Sequence, residues 1–400
     1  MKYVIVLGDG MADEAISVLD GKTPLEYANT PAMDALSKKG EIGMVHTIPE
    51  GMDPGSDTAN LSVLGYDPKV YYSGRSPLEA LSIGVAMKED DIALRCNIVT
   101  ISEEDTKFEK RTILDHSSGE ITTQEAAILI DAVKKELEKD GYHFYVGTSY
   151  RHCLIWEKGH VVDLTPPHDV LEQVIEKYLP KDEVLKDMME RSFSILKDHP
   201  INIKRKEQGL NPANCLWFWG AGTKPMLADF YKKTGKKGIM ISAVDLLKGI
   251  AVGAGMANAY VEGANGGLHT NYEGKMQAAV NALAEDGYDF AYIHVEAPDE
   301  MAHQGSVERK VQAIEYLDQK VIAPLVHNLE EKGVDFRLLV LPDHPTPVRV
   351  RTHTSGDVPY LLYDSTIAIE KSWSYNETDA SKSCNKIEEG YLLIDKLFER

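Results

Sequence analysis

The sequence predicts an α/β fold: a doubly wound, mostly parallel sheet carrying a smaller α+β insert domain. Three observations predict it. Apolar runs near both ends of the 400-residue chain stop abruptly at acidic loops. Helix-like segments precede the later runs, so strand and helix alternate. The middle of the chain loses that alternation and becomes strand-rich. At roughly 150 residues per domain, a chain of this length holds two or three domains and can bury a large core.

Taken in order, residues 3–7 (Tyr-Val-Ile-Val-Leu) form a β-branched run ending in Gly8-Asp9-Gly10, the pattern of a central parallel strand buried on both faces. Residues 92–101, 142–146 and 153–157 read as strands around one amphipathic helix at 123–139, the expected insert. A helix is expected at 184–196, followed by the aromatic run 214–219, which reads as the return to the core. Helices at 275–286 and 306–332 then precede strands 290–295 and 336–341, which run into Glu296-Ala-Pro-Asp299 and Pro342-Asp343-His344. The expected core is therefore discontinuous, 1–90 plus 181–400, with the insert at 91–180. Ligands of such sheets bind at the carboxyl ends of the strands, where the three acidic loops would meet.

Composition narrows the partners. With 43% hydrophobic and 26% charged residues the chain is of globular type. Its 63 acidic against 43 basic residues give a net charge of −20, which argues against a nucleic acid or an anionic membrane as partner. An anionic substrate would have to be held by a local cluster of cations. The four cysteines, Cys96, Cys153, Cys215 and Cys384, show no Cys-x-x-Cys spacing, so neither a thiolate zinc site nor a disulfide framework is indicated. The run at 3–7 is too short for a signal-peptide core, and no apolar stretch approaches the roughly 18 residues of a membrane span. A cytoplasmic location is expected, and homo-oligomerisation is left open.

The candidate chemistry sits at the strand ends. Asp299 and His303 stand four residues apart, on one face if a helix begins there, a spacing suited to a divalent ion. Asp343-His344 follows an apolar strand, and His353 lies nine residues on. Any one of these is also the pattern of a solvated helix face or a capped loop; convergence with Asp9 favours a metal centre. Gly8-Asp9-Gly10 lacks the third glycine of a dinucleotide loop, because position 13 is Asp13. Ser56, after Asp53-Pro-Gly, falls at the start of a helix, where aligned N–H groups favour an alkoxide or a phosphoserine; the plainer reading is a capping serine.

Asp9, Ser56, Asp299, His303, Asp343, His344 and His353, in this order, resemble the alkaline phosphatase superfamily, and specifically the cofactor-independent phosphoglycerate mutases of archaeal type. The resemblance spans nearly the whole chain through short motifs: Pro54-Gly-Ser-Asp57, Leu64-Gly-Tyr-Asp-Pro68, Arg95-Cys-Asn97, Leu114-Asp-His116, Tyr150-Arg-His152, Ile241-Ser-Ala-Val-Asp245 and Ala297-Pro-Asp299. It implies an alkaline-phosphatase-like core and two divalent metal ions, Mn²⁺ foremost, with Zn²⁺, Mg²⁺ or Co²⁺ as alternatives, and no need for 2,3-bisphosphoglycerate. Asp299, His303 and His353 resemble the ligands of one ion; Asp9, Asp343 and His344 resemble those of the other, with Ser56 beside it as nucleophile and as a further metal contact. The implied reaction interconverts 3-phosphoglycerate and 2-phosphoglycerate through phosphoserine, with the insert as a substrate-binding lid. Arg75, His116 and Arg151 are the expected contacts to this small phosphorylated acid, with Arg95 and Lys224 as further candidates, and Asp115-His116 could move protons.

The chain departs from the family pattern at Asn60, where His is expected, and at Ser76, where Gly is expected. A homoserine kinase of the same group or a metal-dependent phosphatase is therefore the alternative reading, although no Gly-x-x-x-x-Gly-Lys-[Ser/Thr] nucleotide loop is present.

Overall fold

A computed structural model of the protein describes residues 1–104 and 107–399. Its strands are β1 (Lys2–Gly8), β2 (Glu41–His46), β3 (Ile92–Ile101), β4 (Ile113–Asp115), β5 (Tyr142–Thr148), β6 (Arg151–Trp156), β7 (Cys215–Thr223), β8 (Gly238–Ile241), β9 (Ala257–Asn258), β10 (Phe290–Val295), β11 (Phe336–Leu341), β12 (Asp357–Asp364) and β13 (Lys386–Ile387). Two compact units result, one of residues 1–72 with 226–400 and one of residues 73–225.

The first unit is built on an eight-stranded sheet of order β13-β2-β12-β11-β1-β10-β8-β9. Among the described strands β12 alone runs against its neighbours, so the sheet is mostly parallel, as the sequence predicts. Strand β1 is central and buried on both faces. Val4 and Val6 join a core with Leu283, Ile314, Leu317 and Leu338, while Tyr3 meets Phe398 edge-on at 5.0 Å. The helices Tyr272–Ala284, Val307–Leu317 and Ala323–Glu331 occupy the expected segments, the last two joined by a π turn at Asp318–Ile322. That turn places buried Asp318 so that its carboxylate accepts the N–H groups of Ala32 (3.1 Å) and Met33 (2.7 Å), capping the helix Pro31–Ser37 from a distance in sequence. Register carries the functional consequence: Leu7 pairs with Leu341 and Gly8 with Val295, so the loops after β1, β10 and β11 leave the sheet at one level.

The second unit has a five-stranded antiparallel sheet, in which β3 pairs with β4, β6 and β7, and β6 with β5. The helices Thr123–Leu137 and Glu183–Leu196 cover one face, packing Leu129, Val133, Leu185 and Met189 against Leu94, Cys96, Phe144 and Phe218. Its extent differs from the expected 91–180 at both ends. The aromatic run 214–219 does not return to the first sheet. It belongs to β7, which lies antiparallel along β3 from Val99↔Cys215 to Ile92↔Thr223, and the helix before it packs on the same core. An apolar run reads alike in either sheet; only strand pairing assigns it. At the other end the helix Arg75–Ser82 packs Ala80 against Ala93, Cys153 and Ile155, on the opposite face of this sheet.

The burial pattern sets a stability expectation. Leu338→Ala, in the middle of β11 and wholly buried, should cost about 2–5 kcal/mol in urea unfolding. Ile128→Ala, exposed on its helix, should stay within about 0.5 kcal/mol.

Candidate active site

The site is assembled at the carboxyl ends of β1, β10 and β11, within the first unit. Asp9 follows β1 directly, and its N–H donates to Val295 O at 2.9 Å. Asp299 and His303 lie on the short helix Ala297–His303 that follows β10, one turn apart, with Nε2 of His303 at 3.1 Å from Asp299 Oδ2. Asp343 and His344 follow β11. Gly10, at φ +58°, sits where a Cβ would meet Asp299 Oδ1 and Thr346 Oγ1 at 2.5 Å, so only glycine lets the β1 loop pass this close to the other two.

All seven residues singled out for this centre are brought together. His353 Nε2 stands 3.1 Å from His303 Nε2 and 3.5 Å from Asp299 Oδ1, and the rings of His344 and His353 are 4.0 Å apart. His344 Nε2 lies between the two halves, 3.6 Å from Asp9 Oδ1, 3.5 Å from Asp343 Oδ2 and 3.1 Å from Ser56 Oγ. Ser56 is the first residue of the helix Ser56–Val63, in the first turn as the sequence predicts. Potential ligand atoms of Asp299, His344 and His353 lie within 4.8 Å of one another, and so do those of Asp9, His294 and Asp343.

Around these groups run hydrogen bonds the sequence did not announce. Asp343 Oδ1 accepts the N–H groups of Gly10 (3.1 Å) and His344 (3.0 Å). Asn60, the departure from the family pattern, donates through Nδ2 to Asp343 Oδ2 and to Ser56 O, both at 2.8 Å, and accepts from the Tyr292 hydroxyl at 2.5 Å. Thr346 donates its hydroxyl to Asp299 Oδ1 at 2.6 Å and stands 3.2 Å from His344 Nδ1. His294 lies inside an apolar strand run and carries no motif; it is wholly buried, with Nε2 3.0 Å from Asp9 Oδ2. Its only sequence signal is a histidine one residue before the end of a strand that terminates in an acidic loop.

Electrostatics divides the carboxylates. Burial, then the nearby charges of Asp343 and Asp299, push the Asp9 carboxyl well above its ordinary range. For Asp299 burial works in the same direction, but hydrogen bonds from His303 and His353 outweigh it and hold the group well below. His303 is raised to about 9, chiefly by its bond to Asp299, whereas burial lowers His294 to about 3.

Arg75, His116 and Arg151 lie in the second unit, on the face of its sheet that carries Asn97. Arg75, first in its helix, pairs with Glu79 through Nε at 2.9 Å, and Arg95 Nε approaches the same carboxylate at 2.7 Å. Burial raises Glu79, but Arg95 and Arg75 outweigh it, and Arg151 adds to the lowering. The Arg95 guanidinium also lies 4.3 Å from the Trp219 ring. His116 stands edge-on to Tyr150 (5.8 Å) and His168 (6.1 Å). Asp115, paired with His116 as a proton carrier on sequence grounds, is tied into its loop: it accepts from Ser117 N–H, Ser117 Oγ, Gly119 N–H and Asn211 Nδ2. Ser76, the other departure, bonds Gly220 O and accepts the Arg95 N–H, a tie within this unit.

These features define an α/β protein with two adjoining Asp/His clusters beside a serine at a helix start. A family model described as 2,3-bisphosphoglycerate-independent phosphoglycerate mutase matches residues 37–202. The chain is 48% identical to the enzyme of that name from Methanosarcina mazei over 91% of this chain and 90% of that one. It is 44% identical to a probable enzyme of the same name from Geobacter sulfurreducens over the full length of both. Among solved structures, a protein from Pyrococcus horikoshii superposes with a TM-score of 0.82 at 29% identity, covering 99% of this chain and 96% of that one. The cofactor-independent phosphoglycerate mutase from Thermoplasma acidophilum gives 0.67 at 26% identity, over 99% of each. The chain belongs to the 2,3-bisphosphoglycerate-independent phosphoglycerate mutase family.

The Asp299–His303 pair carries a pH signature in protein stripped of metal by a chelator. Because the folded value, about 9, exceeds the ordinary 6.5, the contribution of the ion pair is complete below about pH 6.5 and is lost as pH rises through about 9. Proton NMR of the His303 ring should titrate near 9, and Asp299→Asn should return it toward 6.5; a midpoint near 6.5 in the unsubstituted protein would contradict the pairing.

Proposed function

We propose that the chain interconverts 3-phosphoglycerate and 2-phosphoglycerate, carrying the phosphoryl group on Ser56 between its removal from one glycerate oxygen and its return to the other. The observation that supports this most directly is the placement of Ser56 Oγ at a helix start, 3.1 Å from His344 Nε2, beside carboxylates that all face the same space.

The donor set suits divalent ions. Oxygen and imidazole nitrogen ligands fit Mn²⁺ or Zn²⁺, and Asp9 Oδ1 is buried without a hydrogen-bond partner, as a ligand oxygen would be. Asp299, His303 and His353 would hold one ion; Asp9, Asp343 and His344 would hold the other, with Ser56 beside it. When bound, such ions lower the pKa of the serine hydroxyl and neutralise the phosphoryl oxygens. The protein's own groups do the rest. Asn60 fixes the Ser56 backbone against Asp343, so the nucleophile and its neighbouring carboxylate move as one piece. Ser56 Oγ displaces the first glycerate oxygen at phosphorus, and the second glycerate hydroxyl then displaces Ser56 Oγ.

The second unit would supply the local cations that an anionic substrate needs against a net charge of −20. Arg75, Arg95 and Arg151 form a local positive group around Glu79. They would bind the acid groups of the substrate, His116 would serve the glycerate hydroxyls, and the unit would act as the lid that retains glycerate. A kinase or phosphatase reading has no comparable support: Asn60 preserves a donor at the site, and Ser76 serves its own unit.

Ser56→Ala should abolish transfer while leaving metal content unchanged; a merely capping serine would cost about 0.5–2 kcal/mol of stability and spare turnover. Chelation should remove activity, and Mn²⁺ should restore it, measured by phosphorus NMR of the phosphoglycerates without added nucleotide. Arg151→Ala should raise the KM for 3-phosphoglycerate about tenfold or more, as expected for losing a charged hydrogen bond, with kcat less affected.

A further inference from the structure

His294 is the one member of the two Asp/His clusters that the family resemblance assigns no role. It lies on β10, wholly buried, one residue before the strand ends. Its backbone is pinned, since the buried ammonium of Lys275 donates to His294 O at 2.9 Å. Its ring is pinned as well: Nδ1 is 3.2 Å from Ser242 Oγ, and Nε2 is 3.0 Å from Asp9 Oδ2.

The tautomer follows from the neighbours. Ser242 Oγ accepts the Val244 N–H at 3.0 Å and keeps its own proton available to donate to Nδ1. An Nδ1 that accepts leaves the ring proton on Nε2, where it is donated to Asp9 Oδ2. With Asp9 ionised, as a carboxylate that ligates a cation is, the opposite tautomer would set a bare nitrogen lone pair against a carboxylate oxygen at 3.0 Å, two acceptors in a buried space. Asp9 Oδ1 has no hydrogen-bond partner and faces His344 Nε2 at 3.6 Å.

We propose that His294 is a positioning residue for the Asp9 site: the Ser242–His294 chain holds Oδ2 through Nε2–H and so presents Oδ1, alone, to the divalent ion. His294 thus orients a ligand and is not itself one, although its nitrogen lies within ligand distance of Asp9 and Asp343. The inference rests on the two-ion reading given above. Its prediction concerns binding: a hydrogen-bonded partner of a metal ligand typically governs about 10–100-fold in metal affinity.

The experiment is Mn²⁺ titration of the full chain by calorimetry, with metal content measured after dialysis. Unsubstituted protein should bind two ions; if it binds none, the two-ion reading itself fails. His294→Leu should weaken one of the two sites about 10–100-fold and leave the other intact. His294→Gln, whose amide N–H can reach the same carboxylate oxygen, should retain both ions. Should the leucine variant not fold, His294→Asn, too short to reach Asp9, takes its place. Unchanged affinity in the leucine or asparagine variant would overturn the proposal. So would a glutamine variant that loses the ion as completely as they do, because the imidazole lone pair would then be the ligand. Ser242→Ala should weaken the same site and no other, by less than His294→Leu.

Discussion

Three carboxylates, Asp9, Asp299 and Asp343, are confined to one buried space at the strand ends, and their mutual repulsion is the constraint that the rest of the first unit answers. At short range in a poorly solvated site such charges cannot coexist without compensation. The chain compensates unequally. Asp343 receives two backbone N–H groups and the Asn60 amide, Asp299 receives a threonine hydroxyl and two imidazoles, and Asp9, among the described residues, receives one close hydrogen bond, from His294, with His344 farther off at 3.6 Å. The least compensated group is the one whose carboxyl is driven upward, and it is the one with an oxygen left unpartnered.

Holding three loops at such separations takes a scaffold beneath them. Lys310, wholly buried on the helix Val307–Leu317, donates to Ala12 O (3.2 Å), Thr346 O (2.9 Å) and Asp13 Oδ2 (2.8 Å), so a single ammonium joins the loop after β1 to the loop after β11. Thr346, gripped from behind through its carbonyl, turns its hydroxyl to Asp299 and stands beside His344. Burial depresses Lys310, and Asp13 opposes that depression. The geometry of the centre thus descends from the sheet register through a charged strut to the side chains.

Much of this was legible in the sequence because it depends on local pattern. The runs ending at Asp9, Glu296 and Pro342 announce parallel strands, and Asp299, His303, Asp343, His344 and His353 stand out through their convergence at strand ends and through the family resemblance. What was illegible depends on pairing between distant segments. The run 214–219 has the same apolar content in either sheet, and only its register with β3 assigns it to the second unit. His294 is hidden for a related reason: a polar residue on a buried strand has meaning only once the opposing Asp9 is known. Asp115 is likewise defined by its partners: an acid beside a histidine suggests proton transfer, and its place in a loop bonded to Ser117, Gly119 and Asn211 is visible only in the fold.

The two segments that bound the second unit are fastened to each other. Ser73 Oγ donates to Thr223 O at 2.8 Å, and at Gly74, φ +115°, a Cβ would stand 3.2 Å from the Gly222 Cα. Two segments pressed together at glycines make a stem whose ends are already closed, so the closure entropy of the 153 residues 73–225 is met inside the unit. Such a stem is a natural cassette boundary: the unit could be exchanged between relatives, or the chain circularly permuted, by cutting beside it, provided the glycine pair is kept.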